Sequence, residues 1–256
     1  MRYEVDGVPE GKRTLPGRGT SLEKTMPFET TDFRSPPSQV AAGTAARGFM
    51  AGVYRWMTLG LGLTGLVALY LVDNPQLLSQ VLHFWWLLFI AQIGLVLVLS
   101  AGVNRLSFGT AATLFLAYAA LTGVTFAAVF YAYTRTSVAS AFLMTAGSFA
   151  ALSVYANVTK KDLSGWRTFL FMGLIGVVIA SLVQAFWPNP MLNFVVGCVG
   201  VVVFAGLTAY DTQKLRNFAL QGGGVAALSI VGALTLYLDF INLFFSLLRV
   251  FGGRRN

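Results

Sequence analysis

The stretch Tyr237-Leu-Asp-Phe-Ile-Asn-Leu-Phe-Phe-Ser-Leu-Leu-Arg249 decides how the chain is read. It lies within an apolar run over 225–248. At a rise of about 1.5 Å per residue, such a run covers roughly 36 Å, enough to span a bilayer core of about 30 Å. Asp239 sits well inside it, where a carboxylate costs at least ~2.5–3.5 kcal/mol on insertion. Gly232, Thr235, Asp239, Asn242, Ser246 and Arg249 follow at steps of 3, 4, 3, 4 and 3, which places all six on one helical stripe. The spacing predicts a helix that turns this stripe toward protein or water rather than lipid. An ionisable group inside a membrane is by default a mark of a functional path; a polar seam that only joins helices is the plainer alternative.

The whole chain has the same character. Over 256 residues it is 56% hydrophobic and 11% charged, the composition of a polytopic membrane protein. Its formal net charge of +8 is no nucleic-acid footprint. The basic residues sit in short loops and at helix ends, and no basic stripe with interleaved aromatics occurs. One cysteine, Cys198, and one histidine, His83, exclude an intrachain disulfide framework and a Cys/His zinc set. No cofactor is expected.

Residues 1–46 are rich in Gly, Pro, Ser and Thr and lack an apolar run, which predicts a disordered tail. No apolar segment follows its early basic residues, so it does not read as a cleavable signal peptide. From Gly48 onward apolar segments alternate with polar breaks, predicting helices at 48–72, 84–103, 109–133, 138–158, 167–187, 191–213 and 225–249. These form a transmembrane domain over 47–252, followed by a basic tail at 253–256. The expected class is an all-α membrane protein with seven transmembrane helices. Gly48/Gly52, Gly173/Gly176 and Gly197/Gly200 are candidate points of close helix approach. Trp85, Trp86, Trp166 and Trp187 fall near predicted ends, as interfacial aromatics do.

Arg47, Arg55, Arg105, Lys160, Lys161, Arg167, Lys214 and Arg216 all fall on one side of this arrangement, which is cytoplasmic by the positive-inside rule. Arg249, Arg254 and Arg255 fall on the other side if the seventh segment crosses. That segment either crosses or turns near Asp239 and returns. Its length favours crossing, its charge re-entry.

Asp211, in Ala209-Tyr-Asp-Thr-Gln-Lys-Leu-Arg216, is the second acid of interest. Alone, beside Lys214 and Arg216, it reads as a helix-end ion pair. It gains weight because Asp239 lies on the next helix across the Gly222-Gly-Gly224 turn. Two carboxylates brought close cannot both ionise cheaply, so they share a proton and sense pH. A turn centred near Gly223 leaves the two offset by four residues, about 6 Å along the helices.

The segments Ala-Tyr-Asp-Thr-Gln-Lys-Leu at 209–215 and Leu-Tyr-Leu-Asp-Phe-Ile-Asn-Leu-Phe at 236–244 resemble the Bax-inhibitor-motif (TMBIM, bacterial YccA-like) membrane family. Thr159-Lys-Lys-Asp-Leu-Ser164 is similar to a further motif of that family. The resemblance covers about residues 45–252. It implies seven helices with the C-terminal one central, a bacterial inner-membrane location, and a pH-sensitive calcium leak gated around two aspartates that map onto Asp211 and Asp239. It also implies an arginine latch on the first aspartate, for which Arg105 is the nearest match. Some members carry a glutamate midway along the second helix, where this chain has Gln92. That departure leaves the implied path one carboxylate short.

Calcium takes six to eight oxygen ligands. Asp211, Asp239, Asn242 and Thr235 do not complete that shell, which favours weak transit of calcium or another cation over storage. An intramembrane aspartyl protease also uses a Tyr-Asp pair. Its second motif, Gly-x-Gly-Asp, is absent, because Leu236-Tyr-Leu238 precedes Asp239, and so is its Pro-Ala-Leu motif. The sequence therefore predicts no enzyme. The remaining alternative is a non-transporting regulator in the bilayer, acting on stress responses or on a membrane protease.

Overall fold

The computed structural model describes residues 39–101, 106–223 and 226–253. The tail expected at 1–46 lies outside them as far as residue 38, as do Arg105 and residues 254–256. Eight α-helices follow in order: α1 Gln39–Val72, α2 Pro75–His83, α3 Trp85–Ala101, α4 Phe108–Ala132, α5 Arg135–Val158, α6 Arg167–Phe186, α7 Pro190–Phe218 and α8 Ala226–Phe251. A single 3-10 turn, Ser164–Trp166, leads into α6.

The helix starts follow local chemistry. The side chain of Ser107 accepts from Thr110 N–H, and that of Thr134 accepts from Ser137 N–H. Asn189 accepts from the N–H groups of Met191 and Leu192, with Pro190 in the first turn where its missing donor is harmless. After α7 the chain widens into a π-turn, Ala219–Gly223, and kinks at Gly222, which takes φ 88°. An L side chain strains at that angle, so the glycine-rich turn is a backbone requirement.

Six helices are long and apolar enough to cross a membrane, and a seventh span exists if α2 and α3 count together. That pair is bent by 73°. The helix expected over 84–103 is α3, Trp85–Ala101. The short helix before it, which starts at Asn74-Pro75 and ends at His83, was not expected. At the other chosen boundaries α1 starts at Gln39, ahead of the expected 48, and α7 runs to Phe218 rather than 213.

α8 is the centre of the fold. In its apolar window 67% of residues are buried, against 11–39% in the other five long helices. It packs on α1, α4, α5 and α7, while α6 packs chiefly on α7, and α3 on α4. Tyr237, Phe115 and Phe244 are the bulkiest wholly buried side chains, and Phe126 stacks on Phe244 with ring centroids 5.0 Å apart. The helix is unbroken through Asp239, so it crosses rather than re-enters. Its far end is pinned beside the α4–α5 connection, where Thr134 N–H donates to Gly253 O and Gly253 N–H to Ser137 Oγ. Asp73 and Arg135 pair at that same end, 3.6 Å apart. The opposite end gathers Arg47, Lys160, Lys161 and Arg216 and is the basic end.

The glycine expectations divide. A Cβ on Gly173 would strike Val203 at 2.7 Å, one on Gly197 would meet Arg249 and Val250, and one on Gly200 would collide with Ser246. Gly52 approaches Ser229 at ordinary contact distance, whereas Gly48 and Gly176 have nothing within 4 Å. Of the three pairs, those on α6 and α7 thus mark close approach, where α7 meets α6 and α8.

Candidate functional site

The polar stripe of α8 faces α7. Gly197 of α7 lies against Arg249, Gly200 against Ser246, and Leu215 against Gly232. That antiparallel register sets Thr208 level with Asp239, and places Asp211 about one helical turn nearer the basic end. Asp239 occupies the middle of its 26-residue helix. It is 6% exposed. Its Oδ2 receives no hydrogen bond from a described group, and neither does the wholly buried Thr212 Oγ1 on the facing helix. Buried polar atoms are normally paired, so each orphan on this seam needs a reason.

Asp211 is half-buried on α7. Its carboxylate and that of Asp239 lie within reach of each other's charge, and Lys214 acts on Asp211 from the next turn. Asp211 and Asp239 thus stand on the two facing helices α7 and α8, about one turn apart along their axes. Asn242, one turn beyond Asp239, donates from Nδ2 to Leu238 O. Ser246 Oγ donates to Asn242 O, and Thr235 Oγ1 to Val231 O. The hydroxyl donors of Thr235 and Ser246 and one of the two amide donors of Asn242 thus go to carbonyls of their own helix. At its far end Arg249 Nη1 donates to Ser181 Oγ on α6, 3.2 Å away.

One expectation changes. Gln92 does not join this seam: its Nε2 donates to Thr125 Oγ1 at 3.1 Å, on the α3–α4 contact. The departure at position 92 therefore removes no carboxylate from the Asp211–Asp239 seam. Arg105, the nearest match to an arginine latch, lies outside the described residues. No group of three or more His, Cys, Asp or Glu side chains comes together among the described residues. Two carboxylates with hydroxyl and amide oxygens nearby make a poor calcium store.

Sequence reasoning missed two features beside the acids. Gln213, 6% exposed, accepts from Leu163 N–H at 2.8 Å and donates to Lys161 O at 2.8 Å. It ties the α5–α6 loop to the helix of Asp211, and its place in the Tyr-Asp-Thr-Gln motif was the available signal. In the same loop, Asp162 accepts from Ser164 N–H and Oγ–H, which holds its carboxyl below the usual range. On the other side of α8, the Tyr237 hydroxyl meets Thr64 Oγ1, which also donates to Ala119 O.

Apolar helices packed around a buried, acid-bearing central helix define a multi-pass α-helical membrane protein. The family model described as inhibitor of apoptosis-promoting Bax1 matches residues 46–256, and the chain belongs to that family. It is 50% identical over 215 residues to the inner membrane protein YbhL of Escherichia coli K12, covering 81% of this chain and 92% of that protein. It is 47% identical over 211 residues to an uncharacterized protein of Deinococcus radiodurans, covering 81% and 91% of the two chains. An uncharacterized membrane protein of Streptococcus pyogenes is 39% identical over 211 residues, covering 80% and 92%. The protein is a multi-pass bacterial inner-membrane protein.

Proposed function

We propose that this protein is a pH-sensitive cation leak, with calcium as the cation, gated at Asp211 and Asp239. The observation that carries the reading is Asp239: a carboxyl buried midway along the central helix, with an unbonded oxygen, within the field of a second carboxyl on the neighbouring helix. Structure alone gives no reason to hold such a group there at a cost of several kcal/mol. A cation passing along the seam meets carboxylate, amide and hydroxyl oxygens in sequence, each too sparse to hold it, as transit requires. The near-complete burial of Asp239 describes a shut path. The proton shared by the two acids couples pH to the α7–α8 contact, because its loss places two like charges across that contact.

The test is calcium flux from liposomes that contain the purified, folded protein. Flux above that of empty liposomes, changing with pH, supports the leak. Background flux at every pH contradicts it and leaves the non-transporting regulator of a stress response or membrane protease.

A further inference from the structure

The cleft between α1 and α5 is not accounted for by the seam. These two helices flank α8 without closing over it. A cavity of about 450 Å³ lies between them, walled by Met57 and Leu61 of α1 and by Ala146 and Ala150 of α5, with Phe240 of α8 as its floor. At the basic end it continues into a second cavity of about 620 Å³ that shares Tyr54 and Asn157 with the first. A hydrogen bond of 3.5 Å from Asn157 Nδ2 to the Tyr54 hydroxyl marks the junction. The second cavity is bounded by Arg47 and Arg216 and has no carboxylate in its lining.

We infer that this cleft binds one anionic phospholipid of the cytoplasmic leaflet, with its phosphate between Arg47 and Arg216 and an acyl chain laid along the apolar cavity onto Phe240. Two guanidinium groups without an acid repel a cation, so this mouth does not serve the proposed leak. They match a phosphate, to which guanidinium donates in a fixed fork. The length also fits. Arg47 to Leu61 is 14 residues of helix, about 21 Å, and one leaflet from headgroup to midplane is about 20–22 Å. A lipid seated there touches the central helix directly, at the residue next to Asp239.

Native mass spectrometry of the full-length protein in detergent tests this, by titration with palmitoyl-oleoyl phosphatidylglycerol and with the phosphatidylcholine of the same chains. The expected result is retention of one phosphatidylglycerol with roughly tenfold or greater preference over phosphatidylcholine, as two basic contacts supply. Arg47→Gln combined with Arg216→Gln removes the preference. Ala150→Trp, which fills the apolar cavity and leaves both arginines in place, removes retention. Equal retention of the two lipids by the wild type overturns the proposal in favour of ordinary lipid contact. Retention that survives Ala150→Trp shows headgroup contact without the cleft, and displacement by millimolar inorganic phosphate shows a free-anion site. Either result overturns it too.

Discussion

The Tyr237 hydroxyl lies 2.6 Å from Thr64 Oγ1, joining the central helix to α1 deep in the protein. Thr64 also donates to Ala119 O, so the proton on this contact comes from Tyr237. Phe115 and Tyr118 pack edge-on against the Tyr237 ring. Tyr237→Phe keeps the ring and removes one buried hydrogen bond, at about 1 kcal/mol. The expected outcome is a lower thermal midpoint in detergent with unchanged calcium flux, because this contact is on the side of α8 away from Asp239. A large change in flux would put Tyr237 in the path.

Gln213 makes two hydrogen bonds from α7 to the α5–α6 loop. Gln213→Ala removes both, and local opening of that loop becomes easier by about 1.4 kcal/mol or more, a tenfold rise in the open population. Trypsin cleavage after Lys160 or Lys161 is expected to speed up by about that factor. An unchanged rate would mean that the loop is held by other contacts.

Gly200 leaves room for Ser246, and a methyl there collides with the serine Oγ. Gly200→Ala is expected to destabilise the α7–α8 contact by about 1–3 kcal/mol. Ser246→Ala removes the colliding oxygen, though its Cβ remains 3.1 Å from the added methyl. The double variant therefore recovers part of the loss, a non-additivity that a double-mutant cycle in thermal unfolding reads directly.

Much of this arrangement is legible in the sequence because α8 writes its environment into its spacing. Six small or polar residues on one stripe demand a partner helix, and the glycines of α7 provide its surface. The central position of α8 follows from the family resemblance rather than from periodicity. The helix that begins beside Phe84 was legible from its apolar run, whereas the short α2 before it was not. Ser79, Gln80 and His83 interrupt the apolar pattern over 76–83, and only Asn74-Pro75 signals a helix start there. The Gln213 contacts bridge some 50 residues of sequence, and no local pattern encodes a partner at that distance. The direction in which Gln92 points depends on how α3 is rotated against α4, and an almost wholly apolar helix carries little record of that rotation.

Because Gln92 bonds Thr125 on the α3–α4 contact, a carboxylate at position 92 adds no charge to the α7–α8 seam. Gln92→Glu is expected to leave calcium flux in liposomes within about twofold of wild type, since fields fall away with distance and screening. A several-fold rise would show that cations pass between α3 and α4 instead.

The central claim is that Asp211 and Asp239 act as one titrating unit. Groups that share a proton do not contribute independently, and their apparent titration belongs to the pair. The measurement is calcium flux in liposomes across roughly pH 5 to 8, the range such a pair can reach, for wild type, Asp211→Asn, Asp239→Asn and the double variant. The account predicts that each single variant loses the pH dependence and that the double variant changes little further. If Asp211→Asn keeps the wild-type profile while Asp239→Asn abolishes it, the two are not a pair, and Asp211 is a helix-end acid beside Lys214.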